Sequence, residues 1–581
     1  MSSGYFLGIF EGHADPAVAV VRDGEVIAYA EEERFIRQKH AWGVYPHKAL
    51  QSCLDTADIQ ISDVEAVGIN WDVDGYTDGR IGGFFQQLNS DYEVDDATRG
   101  WQRSVLARFT KDSVERRHHF EWRRVFGDIS FPPIVSTPHH YTHAFQAALQ
   151  SGFDESLCMT VDGSGDEHCT VLWEHRGDEL RPFYERKMPH SLGWFYAAFT
   201  EYLGFKAYDG EYKVMGLAAY GSPNEELSAR VADVLHIHSD MQEVYSLDPH
   251  FIHYDEHSYS TRFTDRLIEL LGRPPHLPHA EHEDWHANLA YAVQARLEEA
   301  ACALIRKGIE ATGIRKVTIG GGVGLNVKMN SRIFEMPEVD DVWVNPLCSD
   351  GGAAIGAALV AEHRRTGIRP KKLARLDLGN SEKNVEAVLR SSKVAFTKPD
   401  DIAAEAARLI ANGNVIGWFQ GGMEAGPRAL GQRSILADPR DVGSRDKVNA
   451  VIKFREQWRP FCPSMLAERA TEYLTRYTNA PFMVISLAAT EKLRSDAPAI
   501  VHVDGTARVQ LVDRDVLPLY HRLISEFQKL TGVGVLLNTS FNVRGEPIVC
   551  TARDALRTFF STGLDALVIE DCLVVKSEVP S

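Results

Sequence analysis

No two cysteines in the chain form a CxxC pair. The eight of them stand at 53, 158, 169, 302, 348, 462, 550 and 572, scattered through apolar or mixed sequence. That spacing excludes a disulfide frame and points to reduced, structural thiols. Long apolar runs are also missing: no segment reaches the roughly 18 consecutive apolar residues of a membrane span. The opening "MSSGYFLGIFEGHADPAVAV" has no basic region followed by a long apolar stretch, so a soluble, cytoplasmic protein is expected. Positive charge is in deficit, with 62 Lys and Arg against 81 Asp and Glu and a net charge of −19. So acidic a chain is a poor partner for nucleic acid or anionic membranes. Any polyanionic ligand must be held by a local cluster of Lys and Arg. Low-complexity sequence is absent.

What is present is an α/β pattern. At 581 residues the chain exceeds one hydrophobic core, and two or three domains are expected. "YFLGIF", "AVAVVRDG" and "EVIAYAEEERF" read as strands around a DG turn. "SLCMTVDGSGDEHCTVLWEH" (156–175) repeats that plan. "KVTIGGGVGLNVKMNSRIF" and "VWVNPLCSDGGAAIGAALVAEH" each read strand, glycine turn, helix. Asp-Gly loops at strand ends in both halves of 1–365 predict a duplicated α/β fold with facing halves. Residues 366–395 read as a linker, and 396–581 as a second α/β domain.

Five constellations could carry chemistry. His139 and His143 in "STPHHYTHAFQAAL" are four apart, which on a helix stacks two imidazoles on one face. His140 lies about 100° away around the helix and is not expected to share their ion. Asp162 in "VDGSGDE" ends a strand before small residues, with a hairpin turn as the plain alternative. Asp350 in "CSDGGAAIG" opens a glycine-rich helix start, with an N-cap as the alternative. Together the four offer nitrogen and oxygen ligands suited to iron(II), manganese or zinc. "GGGVGLN" (320–326) lets backbone N–H groups approach a phosphate. It departs from the dinucleotide spacing, because Val327 stands where a third Gly would be. The last constellation, "GGMEAGPRALGQRSILADPR" with "VIKFREQWRPFCPSM" and "VDGTARVQ", sets Arg428, Arg433, Lys453, Arg459 and Arg508 among Gly, Pro and Trp. Arginine forks so framed suit phosphate and carbonyl oxygens better than open solvent.

In this order "HHYTHA", "VDGSGDE", "KVMGLAAYG", "GGGVGLN", "CSDGGAAIGAA", "EAGPRALGQRS", "KFREQWRPF", "VDGTARVQ" and "LNTSFNVRGEPIV" resemble the O-carbamoyltransferases of nodulation and antibiotic biosynthesis. The resemblance spans nearly the whole chain. It implies an N-terminal domain similar to the threonylcarbamoyl-transfer protein of the actin-like ATPase superfamily, and a YrdC-like C-terminal domain. It implies that carbamoyl phosphate and ATP give a carbamoyl-adenylate, whose carbamoyl group passes to a hydroxyl of a small-molecule acceptor.

The resemblance also assigns roles. His139, His143, Asp162 and Asp350 match iron ligands. Gly163, Ser164, Lys213, Gly321, Gly322 and Asn326 fall on the nucleotide side. Arg428, Arg433, Lys453, Arg459, Arg508 and Asn538 fall on the carbamoyl-phosphate side. Lys39 in "EEERFIRQKH" matches a lysine near the reactive site, and His13 matches the general base. The family pattern is His-Asp-Ala-Ser, whereas this chain reads His13-Ala14-Asp15-Pro16; a plain turn histidine is the alternative there. No nucleic-acid or membrane partner is expected, and a homodimer is compatible with the resemblance. Two competing readings are threonylcarbamoyl transfer to tRNA and a nucleotide-gated chaperone or scaffold on an actin-like fold.

Overall fold

The computed structural model describes residues 4–576 except 93, 241, 254–260, 279, 454–457 and 460. Part of "KFREQWRPF", residues 454–457 and 460, thus lies outside the described residues.

The apolar runs become strands. β1 (Tyr5–Phe10), β2 (Ala17–Arg22), β3 (Glu25–Glu31), β4 (Val64–Ile69) and β5 (Ile134–Ser136) form a sheet in the order β3-β2-β1-β4-β5. β1 runs parallel to β4, and β4 to β5. A second sheet contains β6 (Glu155–Gly165), β7 (His168–Arg176), β8 (Glu179–Lys187), β9 (Lys316–Gly320) and β10 (Asp341–Val344), ordered β8-β7-β6-β9-β10. Here β6, β7 and β8 form an antiparallel meander, while β6, β9 and β10 are parallel. The two sheets share one topology: three consecutive strands side by side, then two more added in parallel beside the first. This is the duplicated α/β plan that the repeated Asp-Gly turns predict. Residues 6–10 of β1 and 156–161 of β6 are buried throughout, as central strands covered on both faces must be.

Two helices matter for the site. α1 (His139–Leu149) has every residue but Tyr141 buried, the mark of a core helix. α2 (Ala353–Thr366) reads "AAIGAALVAEHRRT" and packs against β1, β4 and α1. Its small residues permit close contact: a Cβ on Gly356 would lie 2.4 Å from the Thr142 carbonyl oxygen of α1. Between β4 and β5 the helices Arg80–Asp91, Asp96–Arg108 and Lys111–Phe126 share a cluster of Ile81, Phe85, Leu88, Phe109 and Val114.

The chain forms two compact units. The first holds the residues up to Phe10, Ala19–Glu25 and Gln60–Lys372; the second holds Glu11–Val18, Val26–Ile59 and everything from Leu373 onward. Their bounds differ from the expected 1–365, 366–395 and 396–581. Part of the expected linker is packed, with Leu373, Leu376 and Leu378 buried and a helix at Val385–Ser391. Two N-terminal segments expected in the first domain fold with the second unit. One reason is direct backbone bonding: the Tyr29 N–H donates to the Leu378 carbonyl at 3.1 Å. The second unit is built on β11 (Ile416–Phe419), β12 (Arg433–Ala437), β13 (Cys462–Leu466), β14 (Gln510–Val512), β15 (Val535–Ser540), β16 (Ala566–Ile569) and β17 (Cys572–Val575). They form one mixed sheet ordered β14-β13-β15-β12-β11-β16-β17.

Candidate functional site

In the first unit, α1 starts directly after Pro138, which offers no side-chain cap. The cap comes from elsewhere: the His139 N–H donates to Asp166 Oδ2 at 2.9 Å. Asp166 also accepts the Asp72 N–H at 3.1 Å. Burial raises the Asp166 pKa to about 6, against the pull of the His139 N–H. The start of α1 is thus fixed to the loop that follows β6. There a Cβ on Gly165 would lie 2.2 Å from His139 Cδ2, so only glycine lets that strand end pass the imidazole.

With α1 so placed, His139 Nε2 and His143 Nε2 come within 3.2 Å of each other. Asp162 Oδ2 lies 3.8 and 3.7 Å from the two nitrogens, and Asp350 Oδ1 lies 3.5 and 3.9 Å from them. One donor atom from each of the four falls within 4.8 Å of all the others. Both histidines are wholly buried. The Asp162 carboxylate is oriented by two turns, accepting the Gly163 N–H on Oδ1 and the Gly322 N–H on Oδ2, each at 2.8 Å. Asp350 arrives on the turn that leads into α2.

The donor set fits a divalent cation. Two imidazoles and two carboxylates form a hard-to-borderline group. Burial alone would lower the His139 pKa, but the hydrogen bonds and charges of Asp162 and Asp350 raise it to about 10. A positive charge is therefore favoured at that spot. Asn70 supports the ligand: its side-chain amide lies 3.0 Å from His139 Nδ1, leaving Nε2 to face the cluster. Such outer partners fix a ligand's orientation. Trp71 packs on the same ring, with centroids 5.4 Å apart. His140 points elsewhere, with Nδ1 2.9 Å from Thr160 Oγ1 and Nε2 3.1 Å from the His168 carbonyl.

The remaining candidates of this unit take mixed roles. Gly163 and Ser164 lie at the end of β6, and Gly321 turns the chain after β9 with φ of 83°. Asn326 caps the helix Val327–Phe334 by accepting the Met329 N–H at 3.0 Å, and it pairs reciprocally with the amide of Gln294. Lys213 lies over the Phe205 ring at 5.6 Å.

In the second unit, the loop between β11 and β12 carries "GGMEAGPRALGQ". Its organiser is Glu424, which sequence reading missed. One oxygen, Oε1, accepts the N–H groups of Leu430, Gln432 and Arg433 at 2.9, 2.7 and 2.9 Å. A buried acid amid glycines and apolar residues was the available signal. Arg433, expected on the carbamoyl-phosphate side, meets the protein's own backbone. Its guanidinium is buried over the Phe419 ring at 3.5 Å and donates to the carbonyls of Gln420 and Gly421 at 2.6 and 3.0 Å. Arg428 stands half-buried at the centre of the loop.

Lys453 is buried, and its Nζ reaches Ser540 Oγ at 3.2 Å and Asn542 Oδ1 at 2.7 Å. Asn538 donates to Ser464 Oγ at 2.9 Å and to the Ala429 carbonyl at 3.1 Å, so it holds the residue next to Arg428. Gln510 does the same one residue on, donating to the Leu430 carbonyl at 2.8 Å. Arg508 lies 2.9 Å from Cys462 Sγ through Nε, and Arg459 is half-buried near the start of β13. His13 and Lys39 belong to this unit as well. Their loops are joined by the Asp15 N–H to His40 carbonyl bond at 2.8 Å, and the His13 ring packs on Trp42 at 5.2 Å. All eight cysteines are buried and unpaired, and none stands among the four clustered donors.

A cation-suited cluster held by paired Asp-Gly turns in a duplicated α/β unit, joined in one chain to a loop-borne set of cations, defines a two-part enzyme. The family model for the carbamoyltransferase N-terminus matches residues 6–359, and that for the carbamoyltransferase C-terminus matches residues 407–576. The chain belongs to the carbamoyltransferase family and is a carbamoyltransferase. It is 35% identical over 582 residues to nodulation protein NolNO of Sinorhizobium fredii, covering 97% of this chain and 79% of that one. To nodulation protein NolO of Bradyrhizobium diazoefficiens it is 38% identical over 453 residues, covering 75% and 78%. To the uncharacterized protein sll1178 of Synechocystis sp. it is 34% identical over 614 residues, covering 99% and 97%. Among the described residues, no helix is long and apolar enough to cross a membrane.

Proposed function

We propose that the chain is an ATP- and carbamoyl-phosphate-dependent O-carbamoyltransferase. Carbamoyl phosphate, ATP and water give carbamoyl-adenylate, pyrophosphate and inorganic phosphate. The acceptor hydroxyl then attacks the carbamoyl carbon, the mixed-anhydride bond from that carbon to the AMP phosphate oxygen breaks, and AMP leaves. The single observation that carries this reading is the convergence of His139, His143, Asp162 and Asp350, four donors distant in sequence, onto one point, in a chain whose family transfers carbamoyl groups.

A divalent metal bound there, iron(II) by the family resemblance, supplies positive charge against nucleotide phosphates. The protein's own residues do the rest. The strand end at Gly163–Ser164 and the turn at Gly321–Gly322 flank the ligands on the nucleotide side, and the Gly163 and Gly322 N–H groups hold the Asp162 carboxylate. Arg428, Arg459 and Arg508 neutralise carbamoyl phosphate and stabilise charge as the carbamoyl group leaves it. Lys453 fixes the Ser540–Asn542 turn. His13 takes the proton of the attacking hydroxyl, with Lys39 alongside. The second unit plays the YrdC-like activating part.

The acceptor is a small molecule, of the natural-product kind made in antibiotic biosynthesis. A net charge of −19 argues against tRNA, which needs basic surface. A chaperone reading leaves the cations between 428 and 508 without a purpose. Incubation with ATP, carbamoyl phosphate and a panel of hydroxylated acceptors, read by mass spectrometry, should yield a carbamoylated product. Threonylcarbamoylated tRNA, or ATP turnover indifferent to carbamoyl phosphate, would overturn the reading.

A further inference from the structure

Two arginines three residues apart in "EEERFIR" grip two different loops of the second unit. The short helix Glu32–Ile36 ends at Arg37, whose φ is 58°. Arg34 is 1% exposed. Its Nε and Nη2 donate to Glu31 Oε2 at 2.9 and 2.7 Å, and Nη2 also donates to the Gly426 carbonyl at 2.6 Å. Gly426 stands two residues before Arg428, in the loop that Glu424 organises. Arg37 Nη1 donates to the Ile548 carbonyl and Nη2 to the Pro547 carbonyl, each at 2.7 Å. That loop also holds Asn542, which donates to the Glu546 carbonyl at 2.7 Å and accepts from Lys453 at 2.7 Å.

The same segment continues to Lys39 and His40. Glu33 Oε2 accepts the His40 N–H at 2.8 Å, and His40 Nδ1 lies 2.8 Å from Asp15 Oδ1. The Gly43 N–H reaches the His13 carbonyl at 3.4 Å. An arginine buried only to neutralise Glu31 would need no bond to Gly426. Nor would a packing residue need a planar fork set on two successive carbonyls of a distant loop.

We infer that Glu31–His40 is a strap that sets the spacing between the anion-holding loops and the His13–Lys39 pair, with Arg34 and Arg37 as positioning residues. The inference rests on the proposed role of those loops in holding carbamoyl phosphate. Arg37, partly exposed, is the better test, because Arg34→Met risks the fold.

In the full chain, Arg37→Met should raise the KM for carbamoyl phosphate about tenfold or more in pyrophosphate release, since small misplacements of a site carry penalties of that size. The KM for ATP should change less, and Arg37→Lys, which keeps the charge but not the fork, should recover only a small part of the loss. Hydrogen exchange of the same variant should quicken in both 424–433 and 541–549, with metal content unchanged. Wild-type KM with wild-type exchange would overturn the inference. Faster exchange with an unchanged KM would overturn the positioning role and leave a folding contact. If the wild-type chain shows no carbamoyl-phosphate-dependent reaction, the functional reading fails, and exchange at the two loops still decides whether the strap exists.

Discussion

His139 meets a different neighbour on each polar atom: Asp166 at its N–H, Asn70 at Nδ1, and the carboxylates of Asp162 and Asp350 beyond Nε2. Replacing it removes one of four donors and leaves His143 alone with the two carboxylates. His139→Ala should therefore lower bound metal severalfold by elemental analysis; unchanged metal would remove His139 from the ligand set. The arginines of the second unit divide by the same test of what each atom touches. Arg428→Ala should fold normally and lose carbamoyl-phosphate-dependent turnover, whereas Arg433→Ala should lose stability, because its carbonyl partners stay buried. Glu424→Ala leaves three backbone N–H groups without their acceptor. At about 1–3 kcal/mol for a buried unsatisfied donor, destabilisation of about 3 kcal/mol or more is expected in denaturant unfolding. A change below about 1 kcal/mol would contradict the loop-organising role.

At the scale of elements, the site depends on backbone approach more than on long side chains. Gly165→Ala places a methyl 2.2 Å from His139 Cδ2, so α1 or the imidazole must shift. Overpacking of this kind costs about 1–3 kcal/mol, and metal affinity should fall with it; wild-type metal content would show that the ring has room to move. This unit also carries two histidines held neutral by their surroundings, half-buried His190 ahead of the helix Leu192–Tyr202 and buried His286 in the helix Asp284–Thr312. Burial and nearby Arg186 lower the His190 pKa to about 4, and burial with His276 and His282 lowers that of His286 to about 4. Both lie below the ordinary 6.5, so between these values the unfolded chain binds more protons than the folded one. Their contribution is complete above about pH 6.5 and lost as pH falls toward 4. Melting temperature should therefore drop on acidification through that window, and His190→Gln should flatten the drop; an unaltered profile in the variant would exclude His190 as a cause.

At the scale of the whole molecule, much of the first unit was legible in the sequence. Several of its strands are apolar runs, and Asp-Gly pairs recur at strand or helix ends in both halves. The four clustered side chains could be nominated because two share a helix period and two stand near strand or helix ends. The second unit was less legible. Nothing local in "EVIAYAEEERFIRQKHAWGV" shows that it folds with residues beyond 373, since its partners, Leu378, Gly426 and Ile548, are hundreds of positions away. The carbonyl partners of Arg433 were hidden for a related reason. A cation framed by Gly and aromatic residues marks burial, and sequence does not say whether the oxygens that meet it come from a ligand or from the protein's own carbonyls. Asn70 and Asp166 give no periodic signal at all, because each acts through one bond to a residue of another element.

The central claim is that this chain couples ATP to carbamoyl phosphate, and pyrophosphate release tests it most directly. With ATP and carbamoyl phosphate together, the purified protein should release pyrophosphate, and Arg428→Ala should abolish that release while retaining its metal and its fold. Pyrophosphate formed at the same rate without carbamoyl phosphate, or by Arg428→Ala as fast as by wild type, would contradict the account.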